Sequence, residues 1–252
     1  MFEIFILSLV QGITEFLPIS SSSHLLIFSN FGNFENQNVN IDISLHIGSF
    51  IAVLCFFYKD LINFIKNKEL FFKILISSIP VMTVGGFLIQ TNLIEKFRSI
   101  EVIAWTTLIF GILLYVSDKY KLKKNIKNNF NYKTALIIGL FQIFSLLPGV
   151  SRSGITITAA RLLNFKRYDS AKISFLLSIP TLGAVTIFGL YNLLGSQNEN
   201  FYQINLLSIF FSFIFSFLTI KYFLIYIKKF SLKIFIIYRI ILGLVLLSIV
   251  YL

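Results

Sequence analysis

The chain is short of charge, of acid and of cysteine, and each shortage excludes something. Among its 252 residues there is one cysteine, Cys55, so no internal disulfide can form, and its apolar setting makes it a small core residue. Charged residues are 13% of the chain, against roughly 25% in soluble domains. With 56% hydrophobic residues and a mean hydropathy of +0.83, an ordinary soluble domain is excluded and a polytopic membrane protein is indicated. Acids number 11 against 22 bases, a formal net charge of +11. That balance would suit nucleic acid, but the lysines and arginines gather between apolar runs and form no basic stripe, so no nucleic-acid partner is expected. No cleavable signal is expected either. The first apolar run leads straight into Gln11 and Glu15, without a basic start or a small-residue cleavage site.

What the chain does contain is apolar runs of membrane length. Spanning a hydrocarbon core of ~30 Å takes about 20 apolar residues in a helix, and six runs qualify: 42–58, 74–90, 99–117, 173–193, 204–227 and 234–252. Basic residues alternate between them. Lys59, Lys66, Lys68 and Lys73 fill one loop, and Lys119, Lys121, Lys123, Lys124, Lys127 and Lys133 a second. Arg161, Lys166, Arg167 and Lys172 fill a third, and Lys228, Lys229 and Lys233 a fourth. These are expected to be cytoplasmic. Segments 29–41 and 194–203 carry no Lys or Arg, and 91–98 only Lys96 and Arg98, so these are expected outside.

Two polar segments interrupt this pattern: Gln11 to His24, Q-G-I-T-E-F-L-P-I-S-S-S-S-H, and Leu147 to Thr156, L-P-G-V-S-R-S-G-I-T. The stretch 2–17 breaks at Pro18, and neither half can cross, so 2–28 is expected to be a re-entrant hairpin entering from outside. The same reasoning makes 134–164, broken at Pro148-Gly149, a hairpin entering from the cytoplasm. Irregular backbone at membrane depth survives only inside protein or around a wet cavity, so the two turns are expected to meet. Placing Pro18 on Pro148 aligns F-L-P with L-L-P, Ser21 with Ser151 and Ser23 with Ser153; S-I-P recurs at Ser78–Pro80 and Ser178–Pro180. The expectation is a single all-α integral membrane domain over 1–252: six full spans and two re-entrant hairpins, in an inverted-topology repeat of about 1–117 and 134–252.

Ionisable groups at membrane depth are expensive and are retained for a task. Gln11 and Glu15 are four apart and share one helix face. Beyond Pro18, the hydroxyls of Ser20, Ser21, Ser22 and Ser23 precede a helix start, where unpaired N–H groups suit an anion, and His24 follows within that turn. The serines also read as caps and packing residues. The second segment puts Arg152 between Ser151 and Ser153, with Gly149 and Gly154 permitting close backbone approach. Arg152 presents a planar fork for phosphate, or pairs with Glu15 to close the hairpins, and the two uses can coexist. Thr156 adds a hydroxyl on the same turn. His46, in I-S-L-H-I-G, reads as a bonded core residue rather than a ligand.

E-F-L-P-I-S-S-S-S-H and P-G-V-S-R-S-G resemble the two signature motifs of the BacA/UppP family of undecaprenyl-diphosphate phosphatases, and the resemblance covers essentially the whole chain, including S-F-L-L-S-I-P at Ser174–Pro180. It implies an enzyme of the bacterial plasma (inner) membrane. That enzyme hydrolyses undecaprenyl diphosphate to the monophosphate and phosphate, recycling the cell-wall lipid carrier and conferring bacitracin resistance. It further implies a divalent cation, Mg²⁺ or Ca²⁺, and a homodimer. The family's pattern falls on Glu15, Ser21, His24, Ser151, Arg152 and Thr156. Gln11 stands where many members have a second glutamate, and an amide binds a hard cation more weakly, which bears on a metal site at Glu15 and Gln11. Ser23 stands where glycine is common.

The catalytic set is therefore expected to be Glu15, Ser21, His24 and Arg152, with substrate held by Gln11, Ser20, Ser22, Ser151, Ser153 and Thr156. Ser21 is the candidate nucleophile, Glu15 base or metal ligand, and His24 proton donor to the leaving group; His24 or water as the attacking group stays open. The rival class is a transporter or flippase for a polyprenyl phosphate lipid or a small anion, which the inverted repeat would also suit. The hairpin with most candidates enters from outside, so the site is expected to open to the outer face.

Overall fold

The computed structural model describes residues 1–32, 39–66, 68–91, 93–120, 123–194 and 199–252; parts of the loops expected outside at 29–41 and 194–203, together with Lys121, lie beyond these. The described residues form helices, with no strand among them. In chain order these are α1 (Phe2–Thr14), α2 (Ser21–Gly32), α3 (Val39–Phe56), α4 (Tyr58–Lys66), α5 (Lys68–Gln90) and α6 (Ile100–Asp118). Then come α7 (Ile126–Asn129), α8 (Tyr132–Gln142), α9 (Arg152–Leu162), α10 (Arg167–Leu194), α11 (Glu199–Lys229) and α12 (Lys233–Tyr251). Six of them, α3, α5, α6, α10, α11 and α12, carry apolar stretches of 18 to 27 residues, long enough to cross a bilayer. They coincide with the six runs read from hydropathy.

Local chemistry sets several boundaries. The Ser99 hydroxyl accepts from Val102 N–H at 3.2 Å to start α6. Asn131 and Thr134 exchange side-chain and backbone bonds of 2.9 Å in a capping box that starts α8, satisfying donors that a helix end otherwise leaves open.

The two polar segments are the two places where short helices meet at a broken tip, α1 with α2 and α8 with α9. Each second helix starts directly after a serine with positive φ, Ser20 at 74° and Ser151 at 68°. Such backbone costs about 1–3 kcal/mol in a non-glycine residue and persists only where surroundings enforce it. The tips differ by one residue: Ser20 follows Pro18 by two positions and Ser151 follows Pro148 by three. The added residue is Gly149, at φ 91°, where a side chain would run into the Ile103 carbonyl and the Thr106 hydroxyl.

Packing between the halves is reciprocal when α1 is matched with α8, α3 with α10, α5 with α11 and α6 with α12. α1 packs on α11 and α8 on α5, while α3 meets α10 and α6 meets α12. Close approach in both halves depends on a glycine: Gly12 lies against Phe215 and Ser216, and Gly139 against the Ser77 backbone, the small-residue contact that lets membrane helices approach. The two S-I-P tripeptides fall in α5 and α10, which this matching does not equate. They are instead neighbours, because α5 and α10 pack on each other and the residues after each proline, Val81-Met82 and Thr181-Leu182, line one cavity.

A phenylalanine cluster fixes the site's frame. Phe16, fully buried, sits edge-on to Phe175 with centroids 5.3 Å apart, and Phe175 contacts Phe223 at 5.7 Å. Glu15 precedes Phe16 and Ser174 precedes Phe175, so this contact sets where the carboxylate and the Ser174 carbonyl stand.

Candidate functional site

At the meeting of the two tips Glu15 is buried, 7% exposed, and both of its oxygens are engaged. Oε1 accepts from Arg152 Nη2 at 2.9 Å; Oε2 accepts from Ser21 Oγ at 2.7 Å and from Gln11 Nε2 at 3.0 Å. Gln11 Nε2 also donates to His46 Nδ1 at 3.0 Å, which leaves His46 Nδ1 3.7 Å from Glu15. Arg152 is oriented by a second bond, Nη1 to the Ser174 carbonyl at 3.1 Å, and Ser174 Oγ accepts from Thr156 at 2.8 Å. Ser153 donates to the Leu17 carbonyl at 2.7 Å and so ties the second tip to the first.

These groups stand at the end of a cavity of about 550 Å³. Glu15, Ser20, Ser21, Ser22, His46, Ser151 and Arg152 line it, while Gln11, Ser153 and Thr156 are wholly buried behind it. Away from the tips the walls are apolar: Val81, Met82 and Ile89 from α5, Leu182, Val185 and Phe188 from α10. Met82, Val185 and Phe188 are exposed, so the apolar end opens toward lipid. The cavity is thus apolar along α5 and α10 and polar, with one arginine, at the tips.

Of the four residues expected to be catalytic, Glu15, Ser21 and Arg152 line the cavity and His24 does not. Its Nδ1 donates to the Ser20 carbonyl at 2.6 Å and its Nε2 shares a hydrogen bond of 2.5 Å with the Tyr238 hydroxyl, with the rings stacked. The Nδ1 bond is thus to the carbonyl of the first tip's residue with positive φ. Ser23 is likewise turned inward, bonded to Ser20 at 3.0 Å.

Three residues of the site were not selected from sequence. His46 faces the cavity beside Glu15 as well as being bonded. Gln142, at the end of α8, lines the cavity with both amide atoms buried and no partner among the described residues. Arg239 is fully buried on α12 and donates only to carbonyls: Pro18 at 3.2 Å, Val150 and Gly149 at 2.9 Å, Thr107 at 3.3 Å. Gly111 and Gly154 leave it room, since a side chain at either would press on Arg239. One guanidinium thus binds the backbone of both tips. A lone arginine inside an apolar run was the available signal.

A helical bundle whose polar centre is assembled from two broken hairpins and reached along an apolar groove is a polytopic membrane protein built to handle an amphipathic anion. A family model described as bacitracin resistance protein BacA matches residues 4–245. The undecaprenyl-diphosphatase of Pelagibacter ubique (strain HTCC1062) is 50% identical over 250 residues, covering 99% of this chain and 97% of its own. That of Jannaschia sp. (strain CCS1) is 37% identical over 264 residues, covering 100% and 99%. That of Saccharophagus degradans (strain 2-40 / ATCC 43961 / DSM 17024) is 40% identical over 252 residues, covering 94% and 93%. The chain belongs to the BacA family.

Proposed function

We infer that this chain is a membrane-bound hydrolase that converts undecaprenyl diphosphate to undecaprenyl phosphate and inorganic phosphate, returning the cell-wall lipid carrier to use and conferring bacitracin resistance. The observation that carries the reading is the Ser21–Glu15–Arg152 cluster at the closed end of an apolar cavity. The prenyl chain lies along α5 and α10, and the diphosphate meets Arg152, the cavity serines and the first-turn N–H groups of α2.

Ser21 Oγ attacks the terminal phosphorus while Glu15 Oε2, already its acceptor, takes the proton. The bond from that phosphorus to the bridging oxygen breaks, and the electron pair leaves with the lipid monophosphate. Glu15 passes that proton to the departing lipid monophosphate and is ionised again. It then takes a proton from water, whose oxygen opens the phosphoserine, and returns that proton to Ser21 Oγ as phosphate is released. Arg152 balances the charge spread over the phosphoryl oxygens. The placement of His24 favours Ser21 over His24 as the attacking group.

A divalent cation, Mg²⁺ or Ca²⁺, would be held by Glu15 and Gln11 together with substrate phosphate oxygens. The buried and unpartnered Oε1 atoms of Gln11 and Gln142 suit such a ligand, as does the single carboxylate. When bound, the cation adds charge neutralisation at the diphosphate.

Purified protein is expected to release phosphate from a long-chain polyprenyl diphosphate, and a chelator to slow that release. Ser21→Ala is expected to lower turnover by about a thousandfold and to abolish a trappable phosphoserine. Near-normal turnover in Ser21→Ala would remove the serine route and leave water as the nucleophile. Movement of lipid or anion across vesicles without any phosphate release would favour the transporter instead.

The site opens to the outer face of the bacterial plasma membrane, a reading supported by the basic loops that flank the second hairpin and not the first. Cys55, expected from its apolar setting to be a core residue, is exposed on α3. With it replaced by alanine, a Ser22→Cys variant in whole cells is expected to react with an impermeant thiol reagent, and labelling only after lysis would reverse the orientation. The homodimer implied by the family resemblance is tested by the mass of the detergent-purified particle.

A further inference from the structure

A second cavity, of about 560 Å³, shares no lining residue with the first and is built where the end of α6, the end of α9, the start of α10 and the end of α11 converge. Six cations line it, Lys119, Arg161, Lys166, Arg167, Lys228 and Lys229, against two carboxylates, Asp118 and Asp169. Both carboxylates are committed. Asp118 is shared between Arg167 at 2.7 Å and Arg161 at 3.1 Å, and Asp169 accepts from the Ile126 backbone at 3.0 Å. The cationic excess is therefore not cancelled within the pocket.

Arg161 supplies the second observation. Its side chain is only 3% exposed, with Nη1 on the Phe165 carbonyl at 3.1 Å and Nη2 on the Asp118 carbonyl at 2.9 Å. Its Nε–H is buried without an acceptor among the described residues. A charge-bearing donor left unmatched beside a cavity is costly unless a ligand completes it. The 28-residue helix α10 begins at Arg167 in the same place, and a helix N-terminus favours an anion. Exposed Tyr120 and Phe230 border the pocket, aromatic side chains of the kind that sit at headgroup level.

We propose that this pocket binds a phosphate-class oxyanion, carried by an anionic lipid headgroup or free in solution. It is separate from the phosphatase site and does not rest on that activity. Basic pockets between membrane helices hold phosphate-bearing headgroups through this chemistry.

The test is isothermal titration of the full-length, detergent-purified protein with dihexanoyl phosphatidylglycerol, dihexanoyl phosphatidylcholine and inorganic phosphate. The same three titrations are run on the Lys166→Gln/Lys229→Gln double variant, which keeps both arginines on Asp118. Phosphatidylglycerol is expected to bind the wild type and to bind the variant at least about tenfold more weakly, with phosphatidylcholine unaffected by the substitutions. An equal weakening for inorganic phosphate identifies the free oxyanion as sufficient; weakening for phosphatidylglycerol alone identifies the headgroup. Equal affinities of wild type and variant for all three probes overturn the proposal, as does the absence of binding by any. The first cavity is unaltered in the variant, so phosphate bound at Arg152 contributes equally to both proteins and drops out of the comparison.

Discussion

Replacing Arg152 with alanine is expected to lower kcat by about a thousandfold, the scale on which loss of a preorganised cationic donor slows phosphoryl transfer. Arg152 does two things in the structure. It holds Glu15 through Nη2 and is itself held by the Ser174 carbonyl through Nη1, so its fork is fixed before substrate arrives. Arg152→Ala therefore removes the main positive charge at the tips and frees the carboxylate that orients Ser21. Arg152→Lys is expected to recover little, because an ammonium cannot reproduce two bonds in fixed directions. Steady-state phosphate release read beside thermal unfolding separates chemistry from folding. A thermally intact Arg152→Ala protein working within tenfold of wild type would remove Arg152 from the catalytic set.

The second large effect is expected at a residue that touches no part of the cavity. Arg239→Met should destabilise the protein by about 3–5 kcal/mol, because four buried carbonyls lose their donor at about 1–3 kcal/mol each, less what is recovered by removing a buried charge that makes no salt bridge. The carbonyls of Pro18, Gly149, Val150 and Thr107 lose their common donor, and at membrane depth water does not replace it. The two tips are then joined mainly by Ser153 to Leu17 and Arg152 to Glu15. Turnover should fall with the unfolding temperature, and Arg239→Lys should restore part of both by keeping a charge with fewer directed donors. An unchanged unfolding temperature in Arg239→Met would show that the tips assemble without this clamp.

His24 and His46 show how far sequence reaches and where it stops. Both are imidazoles in apolar surroundings, and the cost of such a group says only that each must be bonded. The first hairpin contains His24 four residues after Ser20, and local spacing favoured it as the proton donor. Its ring is instead turned to the Ser20 carbonyl and Tyr238, 214 positions away. His46 looked like a core residue and is one, bonded to Gln11, yet the same packing places it on the cavity wall beside Glu15. Gln142 was silent for a similar reason: a glutamine near a helix end is ordinary until tertiary packing buries both its amide atoms unpartnered at the site.

Sequence alone determined the membrane class, the six spans and the two broken helical segments, and it offered the pairing of Glu15 with Arg152 as one of two uses of that arginine. The first three follow from run length against bilayer thickness and from proline positions, and the pairing from the cost of leaving an ionisable group unbonded at membrane depth. Only the tertiary structure decided which imidazole faces the cavity, that α5 and α10 supply its apolar walls, and that Arg239 fastens both tips. Those outcomes depend on side-chain direction and on contacts across more than 80 positions of chain, which periodicity and spacing do not encode.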